Sequence, residues 1–286
     1  MSSKIKKLGL FDLDIFVFQA AAACTNPVHL RNGNTFIFKV MDAEAAIRVV
    51  RNRIDAIAKE LKLDKVVLCI TDKANWRKRV LPTYKFNRNK TDKPEGLDFI
   101  KDSLREHYEV QLWPTLEADD VMGILATDGE YHPDYRKIII SEDKDMKTIP
   151  CWLFNPAKDY EPWEVTEAFA DNFHFMQALA GDVTDGYAGC PTIGMDTAEE
   201  LLKEQVMWEP YEHTFKSGVR KGETVDRWSK VPSPSTWSTV VSCYIKAGLS
   251  ERDAIIQAQV ARICRATEYD FNKKEVSPWL PTEDSY

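Results

Sequence analysis

Over its first 160 residues the chain alternates short apolar runs with segments of helical period, and no other feature of the sequence restricts the fold as much. Runs at 8–11, 66–70 ("VVLCI"), 109–113, 137–141 ("KIIIS") and 151–154 have the length and β-branched content of strands. Helical patterns fall between them at 14–24, 42–61, 96–107 and 117–127, the second opened by Asp42 as an N-cap. Strands alternating with helices predict an α/β fold with a mostly parallel central sheet flanked by helices. Beyond about residue 162 the strand signals fade, and patterns at 163–179, 196–205, 235–247 and 251–266 predict a helical C-terminal third. The stretch 216–235, "KSGVRKGETVDRWSKVPSPS", reads as a loop or long hairpin carrying several cations.

A chain of 286 residues with 44% apolar content can bury one large core or two small ones. It contains no stretch of about 18 uncharged apolar residues, so neither a membrane span nor a signal peptide is expected. The six cysteines share no short spacing, and Cys69 sits inside an apolar strand pattern, as reduced core thiols of a cytoplasmic protein do. The net charge of −7 is unevenly spread. Residues 73–93, "KANWRKRVLPTYKFNRNKTDK", hold eight Lys or Arg against Asp92 alone, which leaves −14 on the rest. A basic run is commonly a solvated face. Here Trp76, Tyr84 and Phe86 are interleaved with the cations, a pattern that suits nucleic acid, with cations for phosphates and rings for bases.

The acids gather where an open parallel sheet binds its ligands, beyond the carboxyl ends of the strands. Asp12 follows the first run, Asp72 the second, and Asp143 and Asp145 ("SEDKD") follow "KIIIS". Glu117, Asp119 and Asp120 ("EADD") open a helix, and Asp182 and Asp185 ("GDVTDG") end a helical run. Taken singly, an acid at a helix start is most often a cap. Several carboxylates converging on one sheet edge would repel, and some would be forced to protonate, unless cations neutralised them. An all-oxygen donor set, with no zinc spacing among the five histidines, favours a hard ion, Mg²⁺ or Mn²⁺. Two such ions about 4 Å apart would activate a water and stabilise the leaving oxygen in phosphodiester hydrolysis. The basic segment could then offset the remaining negative charge while carrying DNA in.

A phosphatase reading competes. "FDLD" (Asp12, Asp14) resembles the first motif of haloacid-dehalogenase-type phosphatases, "GDVTD" resembles their metal-binding acids, and Thr71 could supply their second-motif hydroxyl. Against it, Ile15 and Phe16 stand where that family has a small turn residue and Thr or Val, and "GDVTD" follows the helical "FHFMQALA". "EADD", "SEDKD" and the basic segment would also have no task. A non-catalytic nucleic-acid-binding protein that kept the fold is the alternative from another class, and the complete acid set argues against it.

Together the five acidic motifs, with "TDKANWRK", "GDVTDGYAG" and "DTAEELL", resemble the 5′-nucleases of the flap endonuclease family, in particular the 5′→3′ exonucleases of short-tailed bacteriophages. The resemblance covers most of the chain. It implies metal ligation by Asp12, Asp72, Glu117, Asp119, Asp120, Asp143, Asp145, Asp182 and Asp185, with Asp143, Asp145, Glu117 and Asp120 on the ion that makes hydroxide. Asp14 has no required role in it. It further implies a basic helical arch at about 76–107, with Lys85 at the scissile phosphate as a catalytic residue beside Asp143 and Asp145. Arg79, Tyr84, Arg88 and Lys90 become DNA contacts. A nuclease core would span 1–178 and a helical DNA-binding region 179–286. Within the latter, "GCPTIGMDTA" (189–198) stands for a helix-three-turn-helix that grips duplex backbone and can hold a monovalent cation. Thr192 replaces a glycine of that motif and Asp196 its lysine, which weakens the expected grip; Lys216, Arg220 and Lys221 could compensate. The resemblance implies a two-ion, Mg²⁺-dependent 5′→3′ exonuclease on double-stranded DNA and on RNA:DNA hybrids, with Mn²⁺ able to substitute. It places the work in phage DNA replication and host DNA breakdown in the infected bacterial cytoplasm, with a polymerase or single-strand-binding protein as partners and no membrane.

Overall fold

The computed structural model describes residues 5–32, 34–90, 94–282 and 285, and of 29–32, 34–38, 89 and 90 the backbone alone. The chain forms two compact units that interleave along the sequence. Met1–Trp76, Lys90–Glu167 and Ile263–Ser277 make the first; Arg77–Asn89, Ala168–Arg262 and Pro278–Tyr286 make the second.

The first unit is built on a six-stranded sheet. Its strands are β1 (Lys6–Asp12), β4 (Lys65–Ile70), β5 (Glu109–Leu112), β6 (Tyr135–Ile140), β7 (Trp152–Phe154) and β8 (Trp163–Glu164), in spatial order β5-β4-β1-β6-β7-β8. All neighbours pair in parallel except β7 with β8. Residues alternate between the faces with period two. Phe11, Leu68, Ile70, Ile138 and Ile140 pack with helices α1 (Leu13–Ala23), α2 (Ala43–Leu61) and α4 (Leu97–Leu104) in one buried cluster. Leu8, Leu10, Val67, Cys69 and Ile139 point the other way and are fully buried, on the side of α5 (Ala118–Thr127), which packs on β1, β4 and β6. Asp42 caps α2 as expected, its carboxylate accepting from the Ala45 N–H at 2.9 Å. A hairpin of β2 (Thr25–Asn32) and β3 (Asn34–Met41) joins α1 to α2, and a short pair, β11 (Tyr269–Asp270) with β12 (Glu275–Val276), follows later. Neither left a sign in the sequence patterns.

The second unit is mainly helical: α3 (Arg77–Val80), α6 (Glu167–Ala180), α7 (Met195–Glu204), α8 (Thr236–Lys246) and α9 (Glu251–Ala261). Ser235 caps α8 and Ser250 caps α9, so both helices begin on side chains that satisfy otherwise orphaned N–H groups. Their apolar faces enclose Leu179, Leu201, Trp237, Val240, Tyr244 and Ala258. Between α7 and α8 stands an antiparallel hairpin, β9 (Val206–Thr214) with β10 (Thr224–Pro232). The region expected as loop or hairpin from 216 is thus a hairpin that begins ten residues earlier, its first strand hidden by Glu209, Pro210 and Glu212, which break apolar alternation. All six cysteines are free thiols. Among the described residues no helix is long and apolar enough to cross a membrane.

Candidate active site

In the first unit, three adjacent parallel strands end on predicted acids. Asp12 is the last residue of β1, Asp72 lies two residues past β4, and Asp143 three past β6. Asp12 is buried and caps α1. Ser141 donates its hydroxyl to Asp12 Oδ2 at 3.1 Å and accepts the Asp143 N–H at 3.1 Å, so one serine ties the two acid-bearing turns together. Asp143 Oδ1 accepts the Asp145 N–H at 2.8 Å, and the pair opens a 3₁₀ turn, Lys144–Thr148. Asp72 Oδ1 accepts the Lys73 N–H, and its Oδ2 accepts the Thr115 N–H at 2.7 Å, which fixes the approach to α5. Asp119 is partly exposed on the first turn of α5, where Glu117 is the N-cap.

Asp120 differs from the others. It is fully buried, and its two oxygens accept from Trp76 Nε1 at 3.0 Å, the Glu117 N–H at 3.3 Å and the Cys264 N–H at 3.1 Å. Those bonds make it a brace of the helix start. Two long-range pairings that the sequence did not reveal sit beside the acids. Asp14 accepts the Thr71 N–H at 3.0 Å and lies 2.5 Å from Lys101 Nζ on α4. Glu142 accepts from Gln19 at 2.9 Å and pairs with Arg53 at 2.5 Å, which anchors the turn carrying Asp143 to α1 and α2. Long-range pairs of this kind leave no local signal in a sequence.

The acids act on one another. Asp12 is pushed up to about 7, chiefly by burial, then by the charge of Asp14, with Asp143 adding to it. Burial, followed by the charges of Asp12, Asp14, Asp119 and Glu109, holds the Cys69 thiol well above its ordinary value. The negative potentials of three motifs therefore overlap at the carboxyl ends of β1 and β4. Among the described residues no three His, Cys, Asp or Glu side chains are gathered closely enough to enclose a metal ion. Carboxylates spread along a strand edge, all hard oxygen donors, still fit Mg²⁺, which binds through one or two carboxylates and keeps several waters. A carboxyl whose folded pKa is raised contributes stability below its unfolded pKa and loses it as pH rises through the folded value. In chelating buffer Asp12's contribution to stability should therefore fall between about pH 4 and about pH 7, by at most a few kcal/mol. Asp12→Asn should remove that part of the fall and melt higher than wild type at pH 8. Parallel pH profiles for the two proteins would show that Asp12 is not the strained acid.

In the second unit, Asp182 and Asp185 form a tight turn after α6. Asp182 Oδ1 accepts the Thr184 N–H at 2.7 Å and the Asp185 N–H at 3.3 Å. Asp185 is bound to the basic segment: Tyr84 donates its hydroxyl at 3.0 Å, Lys85 Nζ lies 3.4 Å away, and Arg88 pairs with it directly. Gly186 makes the approach feasible. It has φ +76°, and a Cβ there would crowd the Lys85 N and Thr83 O at 3.3 Å.

The expected ring-and-cation strip is only partly realised. Trp76 and Tyr84 are 1% and 2% exposed, so neither can stack a base; Phe86, at 65%, is open. Arg77 is likewise buried, donating to the Val260 carbonyl at 2.9 Å and to the Arg262 carbonyl at 2.5 Å. Arg79 and Arg88 are exposed, and the Lys90 side chain lies outside what the structure describes. Arg77→Met should cost about 3 kcal/mol in chemical denaturation, because two buried carbonyls lose their donors. Unchanged stability together with weakened DNA binding would return Arg77 to a nucleic-acid interface.

A family model described as "5′-3′ exonuclease, N-terminal resolvase-like domain" matches residues 7–166. The chain is 41% identical over 222 residues to an exodeoxyribonuclease of Enterobacteria phage T3, covering 76% of this chain and 73% of the relative. Among solved structures it is similar to the T5 5′-exonuclease with divalent zinc bound, at TM-score 0.54 and 17% identity, covering 70% of this chain and 76% of that one. It is also similar to a bacteriophage T5 flap endonuclease in a pseudo-enzyme-product complex with DNA and metal ions, at TM-score 0.51 and 17% identity, covering 70% and 75%. Both likenesses show a shared fold.

Proposed function

This chain belongs to the 5′–3′ exonuclease family, and from that premise we propose that it hydrolyses duplex DNA inward from a 5′ end, using two divalent ions. Mg²⁺ is the working ion, Mn²⁺ can replace it, and the RNA strand of an RNA:DNA hybrid is a second substrate. The observation that carries this reading is the ending of neighbouring strands β4, β1 and β6 on Asp72, Asp12 and Asp143. Carboxylates at the carboxyl edge of a parallel sheet are where such a fold binds a ligand, and a phosphodiester brings further negative charge that only cations can reconcile with them.

Bound divalent ions would supply a hydroxide near neutral pH and neutralise the leaving oxygen. In this assignment Asp143, Asp145 and Glu117 would hold one ion, in part through its retained waters, Asp182 and Asp185 would anchor the other, and Asp12, Asp72 and Asp119 would complete the acid set. Asp120 is better assigned to bracing α5, since it is fully buried and accepts three N–H groups. Ser141 keeps Asp12 and Asp143 in fixed relation. Lys85 is assigned to the scissile phosphate, and Arg79, Arg88 and Lys90 to neighbouring ones, with Tyr84 orienting Asp185 through its hydroxyl. Residues 1–178 would then carry most of the acids and 179–286 the duplex grip beside Asp182 and Asp185, with α6, the 181–194 loop and α7 as the helix-three-turn-helix and its monovalent cation site. The phage origin of the T3 relative supports a role in phage DNA replication and host DNA breakdown in an infected cell, beside a polymerase or single-strand-binding protein.

The phosphatase reading loses its metal-binding acids here, because "GDVTD" follows helix α6 and not a strand. Strand polarity tests the proposal. With Mg²⁺, a duplex labelled at a 5′ end should release its label in the earliest products, while a 3′ label stays on long fragments until late. Early release of the 3′ label would reverse the assignment.

A further inference from the structure

The hairpin β9–β10 belongs to no part of the site described above, yet it is built like a ligand-binding arm. Its base is fixed: Trp208 donates its N–H to Ser242 Oγ at 3.0 Å and packs on the core of the second unit. From Glu209 to Pro232 no residue is buried, so both faces of the ribbon are open. A two-stranded ribbon with no third strand has little stability of its own, and the composition of this one is not that of an inert solvated loop.

Strand register puts the rings on one face, together with Arg227 and Glu209. Tyr211 is paired with Arg227 and His213 with Val225 on one face, and Phe215 continues that face into the tip. The opposite face carries Glu212 directly across from Asp226. On the first face the three rings run edge to face, with centroids 6.3 Å and 5.0 Å apart. Guanidiniums close the row: Arg220 lies 4.3 Å and Arg227 5.1 Å from the Phe215 ring centre. Arg220 is further oriented by Glu223 at 2.7 Å. Lys216 and Lys221 are exposed at the tip, where Gly218 and Gly222, at φ +77° and +87°, turn the chain. Two guanidiniums, Arg220 and Arg227, are thus preorganised by one ring at small entropic cost, on a chain whose net charge is −7. Elsewhere in the second unit the first turns of α7 present Asp196, Glu199 and Glu200, which would repel phosphate.

We propose that the Tyr211–Phe215–Arg227 face of the β9–β10 hairpin, with Lys216, Arg220 and Lys221 at its tip, is a duplex-DNA contact that grips the sugar-phosphate backbone apart from the residues assigned to cleavage. A two-stranded β-ribbon has the dimensions to lie in the major groove, and its cations gather at the tip, with Arg227 on the ring face. The proposal rests on the nuclease reading only for the choice of DNA as ligand.

The test is the affinity of the full-length protein for a blunt duplex of about 30 base pairs in chelating buffer, followed by fluorescence anisotropy from about 50 to 200 mM salt. The combined variant Lys216→Ala, Arg220→Ala, Lys221→Ala, Arg227→Ala should weaken binding about tenfold or more at about 150 mM salt. It should also reduce the salt slope by about 3, near 0.9 for each phosphate that the arm no longer neutralises. Exchanging Lys for Arg and Arg for Lys at the same four positions should keep the slope, which separates charge from folding. If the alanine variant's melting temperature, affinity and salt slope all match wild type, the arm does not bind DNA and a protein partner becomes the occupant to seek. Because the measurement reads binding without cleavage, a protein that grips through the arm but never cuts would overturn the nuclease reading alone.

Discussion

Asp143→Ala will abolish label release from a 5′-labelled duplex while leaving DNA affinity in chelating buffer within a few-fold of wild type. Asp143 is partly exposed just beyond β6, its N–H is held by Ser141, and one carboxylate oxygen accepts from Asp145. The carboxylate thus keeps lone pairs that an ion could use. Loss of a metal ligand removes several kcal/mol of transition-state charge stabilisation, which is a fall of about a thousandfold in rate. The alanine also removes the cap of the Lys144–Thr148 turn, so a loss of about 1 kcal/mol in stability should accompany it. The rate effect far exceeds that and should persist at temperatures where both proteins are folded. A fully active Asp143→Ala protein would take this residue out of the metal site.

The second large effect falls on Lys85. Its backbone sits at φ +55°, its N–H donates to the Asp185 carbonyl at 2.7 Å, and its side chain lies 5.1 Å over the Tyr84 ring, only partly exposed. That setting fixes the ammonium in place, as transition-state stabilisation requires. Lys85→Ala should lower kcat by about a hundredfold and raise Kd by no more than a few-fold, the pattern of an interaction stronger in the transition state than in the bound complex. Arg88→Ala, at a more exposed position also paired with Asp185, should chiefly change affinity and its salt dependence. If Lys85→Ala changes only the salt slope of binding, Lys85 is an ordinary phosphate contact.

The α/β core was legible because each buried strand writes its own apolar run. "KIIIS" became β6 and "VVLCI" became β4 with ends shifted by one or two residues. The acids at their ends were legible for the same reason, since a parallel sheet gathers the carboxyl ends of its strands on one edge. What stayed hidden depends on partners far along the chain. Arg77 and Tyr84 have the composition of a nucleic-acid strip, but Arg77 is satisfied by carbonyls at residues 260 and 262, more than 180 positions away. Asp120 looked like its neighbours until Trp76 and Cys264 were seen to occupy it. Asp14, first met as half of an Asp-x-Asp, pairs with Lys101 through α4. The hairpin strand Val206–Thr214 was masked because a ribbon open on both faces needs no apolar alternation.

The central claim is that carboxylates at the ends of β4, β1 and β6 make a divalent-ion site that cuts DNA from a 5′ end. Release of a 5′ label from duplex DNA, measured with Mg²⁺, with Mn²⁺ and with chelator, tests it most directly. Release with either ion and none with chelator is the predicted result; no release at any concentration of Mg²⁺ or Mn²⁺, or release undiminished by chelator, would contradict it.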